Sequence, residues 1–114
     1  MRKPADLSEA DAFETIAAPD LYALYSKYED SANKKYLSKV IEVKGTVVEI
    51  DNQPDSLITI LLGDPLQSGR VSCLLDNKQT AAATKILRGD FVKVKGICTG
   101  FLMDVELNRC VLVK

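Results

Sequence analysis

The sequence predicts a small, mainly β chain with helices: a five-stranded Greek-key barrel with a helix between strands three and four and a helical extension at its N-terminus. Three observations carry that prediction. An apolar-x-Val-Lys-Gly pattern occurs twice, as Ile41-Glu42-Val43-Lys44-Gly45 and as Val92-Lys93-Val94-Lys95-Gly96, and marks two strands that bend or meet another backbone at glycine. Alternation of apolar and polar residues returns in successive short runs after residue 40. Helical spacing is confined to the start of the chain and to one Ala-rich stretch between the third and fourth runs.

Residues 1–7 read as a lead-in. Ser8 reads as the N-cap of a short helix over 9–17, with Glu9 and Asp11 set against the positive end of its dipole and Ala12, Phe13, Ile16 and Ala17 on one face. Pro19 disfavours helical geometry at Ala18 and suits the first turn of a second helix. The spacing of Leu21, Leu24, Tyr25, Tyr28, Ala32 and Tyr36 carries that helix to about residue 36. Tyrosines at helical spacing are read as packing the helix onto its own domain, in preference to a base-stacking ladder.

From Val40 the period becomes alternating. Ile41, Val43 and Val47 share one face and Glu42, Lys44 and Thr46 the other, while Val48 and Ile50 reverse the phase, as a strand does when it bends between sheets at a bulge. Residues 51–55 are a turn by composition and close a hairpin onto a mostly buried strand over 56–62. Val71, Cys73 and Leu75 alternate along a third strand. Asp76 or Asn77 then caps a helix over 78–87, with Ala81, Ala82, Ile86 and Leu87 turned inward.

Gly89-Asp90 ends that helix and launches the fourth strand. Val92, Val94 and Cys98 face one way along it and Phe91, Lys93, Lys95 and Ile97 the other, until Thr99-Gly100 breaks it. The last strand starts near 102–104, and its apolar set changes phase from Val105 and Leu107 to Cys110 and Leu112, which predicts a bulge at Asn108-Arg109. This order of elements is that of the OB-fold, in which one helix joins strands three and four. The alternative is a split α+β sheet, against which one short internal helix leaves little surface to cover five curved strands. The chain divides into an N-terminal helical extension, residues 1–38, packing on the barrel, and the barrel itself, residues 39–114.

At 114 residues and 46% hydrophobic content the chain is one domain with a core of its own, needing no metal or disulfide to fold. The formal net charge of −1, from 15 basic and 16 acidic residues, gives no electrostatic reason for strong phosphate binding. There is no histidine and no tryptophan, which removes the commonest general base, the commonest metal ligand and the best stacking side chain. The three cysteines are too widely spaced for a Cys-x-x-Cys site and read as buried strand residues. Cys98 and Cys110 fall on strands that pair in an OB barrel, so a disulfide between them is allowed if both face one side. Asp64, Asp76, Asp90 and Asp104 stand at element ends, where capping carboxylates belong. No nucleophile, base and orienter come together, so we expect no catalytic residue, metal or cofactor and no enzymatic activity. No run is long enough to span a membrane, and the start lacks a signal-peptide core. That predicts a soluble chain, cytoplasmic as it stands, or of the cell envelope if a leader preceded Met1; its oligomeric state is left open.

The run from Asn33 through Ile41-Glu42-Val43-Lys44-Gly45-Thr46-Val47, with Gly89-Asp90-x-Val92-x-Val94-Lys95-Gly96-x-Cys98-x-Gly100 and the closing Val105-x-Leu107-x-x-Cys110, resembles the tRNA-anti-like family of small bacterial OB-fold proteins. The resemblance covers roughly residues 21–114, and its motifs are structural. It implies a nucleic-acid-binding role carried by the fold, and a likeness to exported or lipid-anchored envelope proteins, although this chain shows no lipobox. An OB-fold grips a single strand with aromatic platforms and a basic groove across its second and third strands. Here those strands hold Arg70 and no aromatic, and only Phe101, in the loop after strand four, is placed to stack. Lys44, Lys93 and Lys95, on neighbouring strands, complete the candidate nucleic-acid contacts; the competing reading is a solvated sheet face. The expected partner is therefore single-stranded nucleic acid or, as the competing class, a protein.

Overall fold

The computed structural model describes residues 10–52 and 57–113. Its six strands are β1 (Thr15–Ala17), β2 (Val40–Asp51), β3 (Thr59–Gly63), β4 (Arg70–Leu75), β5 (Phe91–Phe101) and β6 (Val105–Val113). Helices α1 (Ala18–Lys27) and α2 (Glu29–Tyr36) precede β2, and a 3-10 turn (Asn77–Gln79) with the one-turn α3 (Thr80–Ala83) joins β4 to β5. The sheet runs β1-β2-β3-β4-β6-β5, and β5 returns to pair with β2, so strands β2 to β6 close into a barrel. It is a five-stranded OB-fold barrel, as the alternating runs predict. Only β4 and β6 are parallel within it.

Closure follows from β2, a strand long enough to serve both sides. Its first half, Val40 to Thr46, pairs with β5, and its second half, from Thr46 to Asp51, pairs with β3 across a register shift at Val48. The inward set Ile41, Val43 and Val47 is buried, and past the bulge the phase changes as the alternation predicts. The bulge predicted at Asn108-Arg109 is present: Arg109 adopts φ 53°, and the β5–β6 register slips between Lys95 and Ile97.

The two glycines of the repeated pattern are both sites of close approach, with different neighbours. A Cβ on Gly45 would lie 3.0 Å from the Ala18 Cβ and 3.3 Å from the Leu62 Cβ, so this glycine admits α1 against the barrel. A Cβ on Gly96 would lie 2.5 Å from the Cys110 Sγ, so this one admits the bulged last strand. Helix α1 then closes one end of the barrel with Ala18, Leu21 and Tyr25, all fully buried. The Tyr25 ring stacks on Phe101 at 5.7 Å, and its hydroxyl lies 3.2 Å from the Cys98 Sγ.

Four expectations are corrected. The predicted helix over 9–17 is instead an extended segment ending in β1, parallel to β2 with Thr15 opposite Glu42 and Ala17 opposite Lys44. The reason lies in β2: β3 reaches only from Thr46 onward, so the edge at Glu42 to Lys44 needs a partner, and the β-branched Thr15 and Ile16 supply one. The helix over 19–36 is broken at Tyr28, whose φ of −140° ends α1 and starts α2. The helix over 78–87 shrinks to the 3-10 turn and α3, with Ala83 buried while Ala81, Ala82 and Leu87 are exposed. Strand β5 does not break at Gly100 but runs to Phe101 through a bulge there, with Gly100 at φ 131°. The expected N-cap Ser8 and the turn residues Pro54 and Asp55 lie outside the described residues.

All three cysteines are buried free thiols. Cys98 and Cys110 are not joined: Cys98 faces Tyr25, whereas the Cys110 thiol is pushed up by its hydrogen bond with Cys73 and by burial.

Candidate functional site

The outer face of β3 and β4 is where an OB-fold groove lies. Alternation turns Ile60, Leu62, Val71, Cys73 and Leu75 inward and leaves Thr59, Arg70, Ser72 and Leu74 half-buried on the outer side, where Leu61 is itself covered. Register places Glu49 of β2 beside Leu61 and Glu106 of β6 beside Ser72. Arg70 sits between carboxylates: its Nη1 is 3.1 Å from Glu49 Oε1 and its Nε 3.7 Å from Asp104 Oδ1. These pairs are partly exposed and contribute little to stability. They nonetheless neutralise the one base of a face bordered by Glu49, Asp51, Asp104 and Glu106, and neither β3 nor β4 carries an aromatic residue.

The neighbouring face of β2 and β5 has the opposite character. Down the ladder, Glu42 pairs with Lys95, Lys44 with Lys93 and Thr46 with Phe91. Glu42 Oε2 also accepts a hydrogen bond from Thr15 Oγ1 at 3.2 Å. Lys95 is occupied structurally: its Nζ donates to the Ala10 carbonyl at 2.6 Å and holds the N-terminal segment on the sheet. Lys44 and Lys93 are exposed, directly opposed, and free of side-chain ion pairs among the described residues. Phe91, 68% exposed, is in phase with Lys93 on the same outward face.

The five predicted contact residues are therefore not assembled into one site. Lys44 and Lys93 adjoin as predicted, Lys95 is tied to Ala10, Arg70 is held by Glu49 and Asp104, and Phe101 is packed beneath α1 between Tyr25 and Tyr22. Phe101 is half-buried, with its ring contacts taken by two tyrosines of α1. The exposed aromatic is Phe91 instead, and its signal was present in the strand alternation, which sets it outward in step with the lysines. The helical tyrosines pack inward as expected at Tyr25 and Tyr36, while Leu24 and Tyr28 stay outside and border a groove of about 300 Å³.

A second cluster fixes the N-terminal segment. Tyr36 donates a hydrogen bond to Glu14 Oε2 at 2.8 Å, and Lys35 Nζ lies 3.1 Å from Glu14 Oε1. The Tyr36 hydroxyl, aided by Lys35, holds the Glu14 carboxyl below the usual carboxylate range against the opposing effect of burial. Burial and the hydrogen bond to Glu14 push Tyr36 itself up.

Comparison with known sequences gives this geometry a family. The sequence model of the tRNA_anti-like family matches residues 2–112, the helical segment included. The chain belongs to the tRNA_anti-like family. This tRNA_anti-like chain is similar in structure to a candidate nucleic acid-binding lipoprotein from Klebsiella pneumoniae subsp. pneumoniae, with TM-score 0.71 and 16% identity over 98% of this chain and 100% of that one. It is also similar to a chain of the S. pombe Stn1–Ten1 complex, with TM-score 0.51 and 18% identity over 66% of this chain and 58% of that one. At these identities the likeness is one of fold. No curated protein matches the sequence. Family and fold together make the tRNA_anti-like chain an OB-fold binding module. Among its described residues no helix is long and apolar enough to cross a membrane.

Proposed function

We propose that this chain is a non-enzymatic module whose partner is a protein, and that its β3–β4 face is not a channel for single-stranded nucleic acid. The observation that carries the reading is Arg70, held between Glu49 and Asp104 on a face bordered by four carboxylates and lacking any aromatic platform. A strand of phosphates approaching there meets like charge, and its bases find nothing on which to stack. The non-enzymatic part rests on the absence of histidine from the sequence and on the burial of all three thiols, which leaves no exposed thiol and no histidine base to activate a nucleophile. The likeness to a Klebsiella lipoprotein supports placing the partner at the cell envelope.

A fluorescence-anisotropy titration with a labelled oligothymidylate tests this. At ~50 mM salt we expect binding weaker than ~100 µM, at the weak limit of non-specific association. Submicromolar binding that Arg70→Ala abolishes would overturn the reading.

A further inference from the structure

We infer that the β2–β5 face docks an extended acidic segment of the partner protein, one carboxylate bridging Lys44 and Lys93 and a neighbouring apolar side chain entering the slot between Phe91 and Pro65. This rests on the reading that the partner is a protein and adds its chemistry and its place of docking.

The first observation is a contrast within one ladder. Glu42 faces Lys95, an opposite-charge pair of the kind that stabilises a sheet, but one step along Lys44 faces Lys93. Like charges directly opposed on neighbouring strands are destabilising. Edge protection does not account for them, because β2 and β5 are hydrogen-bonded to each other inside a closed barrel and neither lysine guards an open edge there. No carboxylate among the described residues pairs with either ammonium. The charge complement is thus one that the described residues do not provide.

The second observation is the shape beside that pair. A shallow slot of about 250 Å³ is bounded by Lys44, Thr46, Pro65 and Phe91, with Gly45 and Gly63 as its floor. It continues past Pro65 into a groove of about 440 Å³ lined by Val47, Val48, Arg88 and Gly89. Phe91 and Leu66, 68% and 93% exposed, stand close by without a hydrophobic neighbour to cover them. The two carboxylates along this path face the backbone: Asp64 Oδ1 accepts from the Leu66 N–H at 2.9 Å, and Asp90 Oδ2 accepts from the Leu87 N–H at 2.9 Å. Each caps a turn through one oxygen, and the cations along the path are Lys44, Lys93 and Arg88.

An acidic peptide fits this combination better than a nucleic acid does. The slot is lined by a single phenyl ring and by prolines, and the cations are a pair with one outlier, whereas a single strand needs a continuous cationic track with successive stacking platforms. A carboxylate beside an apolar side chain, repeated along an extended backbone, matches a paired cation beside an apolar slot.

The test uses the full chain and three titrations. The probe is a fluorescein-labelled peptide of alternating glutamate and phenylalanine; the comparison ligands are its lysine–phenylalanine counterpart and an oligothymidylate of equal charge. We expect the glutamate peptide alone to bind, about tenfold more weakly in Lys44→Glu/Lys93→Glu and in Phe91→Ala, and unchanged in Arg70→Ala. The substituted side chains are exposed, and circular dichroism with a thermal melt verifies that the variants fold. Absence of binding by the glutamate peptide at low salt, or binding indifferent to all three substitutions, overturns the inference while leaving the protein-partner reading standing if the oligonucleotide also fails. Oligonucleotide binding that depends on Arg70 overturns that reading. Oligonucleotide binding lost on reversing Lys44 and Lys93 overturns both, and concentration-dependent dimerisation lost in the same variant assigns the face to a second copy and overturns the inference.

Discussion

The β3–β4 and β2–β5 faces are built from the same barrel, share strand β2, and differ in how their charges are spent. Arg70 is shared between Glu49 and Asp104, so the first face holds its one base internally and keeps an acidic border. Lys44 and Lys93 oppose each other with no ion-pair partner among the described residues, so the second face presents a paired positive charge to another molecule. The lesson is that a family's usual ligand face is identified by the fold, whereas the capacity to bind is identified by which charges the chain leaves unresolved.

The largest effect comes from breaking the scaffold beneath both faces. Gly96→Ala places a Cβ within 2.5 Å of the Cys110 Sγ and 3.0 Å of the Asn108 carbonyl, in a bulge with little room to yield. We expect a loss of ~1–3 kcal/mol in urea melts from overpacking, with both faces weakened together. Next is conversion of one face into the other. Glu49→Lys with Asp104→Lys frees Arg70 and turns an acidic border cationic, and oligothymidylate affinity should rise by ~tenfold at low salt with a steeper salt dependence. If affinity does not change, the carboxylates are not what excludes phosphate from that face.

Smaller, and of opposite sign, is Lys93→Glu. It replaces a like-charge cross-strand pair by an opposite one and should stabilise the fold by ~0.2–1 kcal/mol in thermal melts while weakening peptide binding. A gain in stability with a loss of binding is the signature of a residue kept for a partner. The smallest effect is at Glu14, whose carboxylate accepts from Tyr36 and pairs with Lys35. Its pKa is lowered on folding. Its contribution is therefore full above the ordinary carboxylate pKa and is lost as the pH falls through the lower folded value. Glu14→Gln should flatten that acid limb in a pH series of melts and cost less than ~1 kcal/mol at neutral pH, since the site is partly exposed.

Much of the barrel was legible in the sequence because alternation reports burial directly: Val71, Cys73 and Leu75, or Val94 and Cys98, are inward in both readings. The Asn108-Arg109 bulge was legible for the same reason, as a change of phase. Helix ends were not. Ser8 to Ala17 carries helix-start signals, but the unpaired edge of β2 near Val43 offers Thr15 and Ile16 backbone partners that no local pattern reveals. At the candidate site, adjacency of Lys44 and Lys93 followed from strand order alone. The fates of Lys95, Arg70 and Phe101 did not, because each is decided by a residue distant in sequence: Ala10, Glu49 with Asp104, and Tyr25. Phe91 is not marked as an aromatic contact by the fold's usual ligand face, because it lies outside β3, β4 and their loops.

The most direct test of the contrast between the two faces is an amide NMR titration of the full chain with the glutamate–phenylalanine peptide. Perturbation is expected at Lys44, Thr46, Phe91 and Lys93, with Arg70, Ser72 and Leu74 unmoved. Shifts confined to Arg70, Ser72 and Leu74, with Lys44 and Lys93 silent, would contradict it.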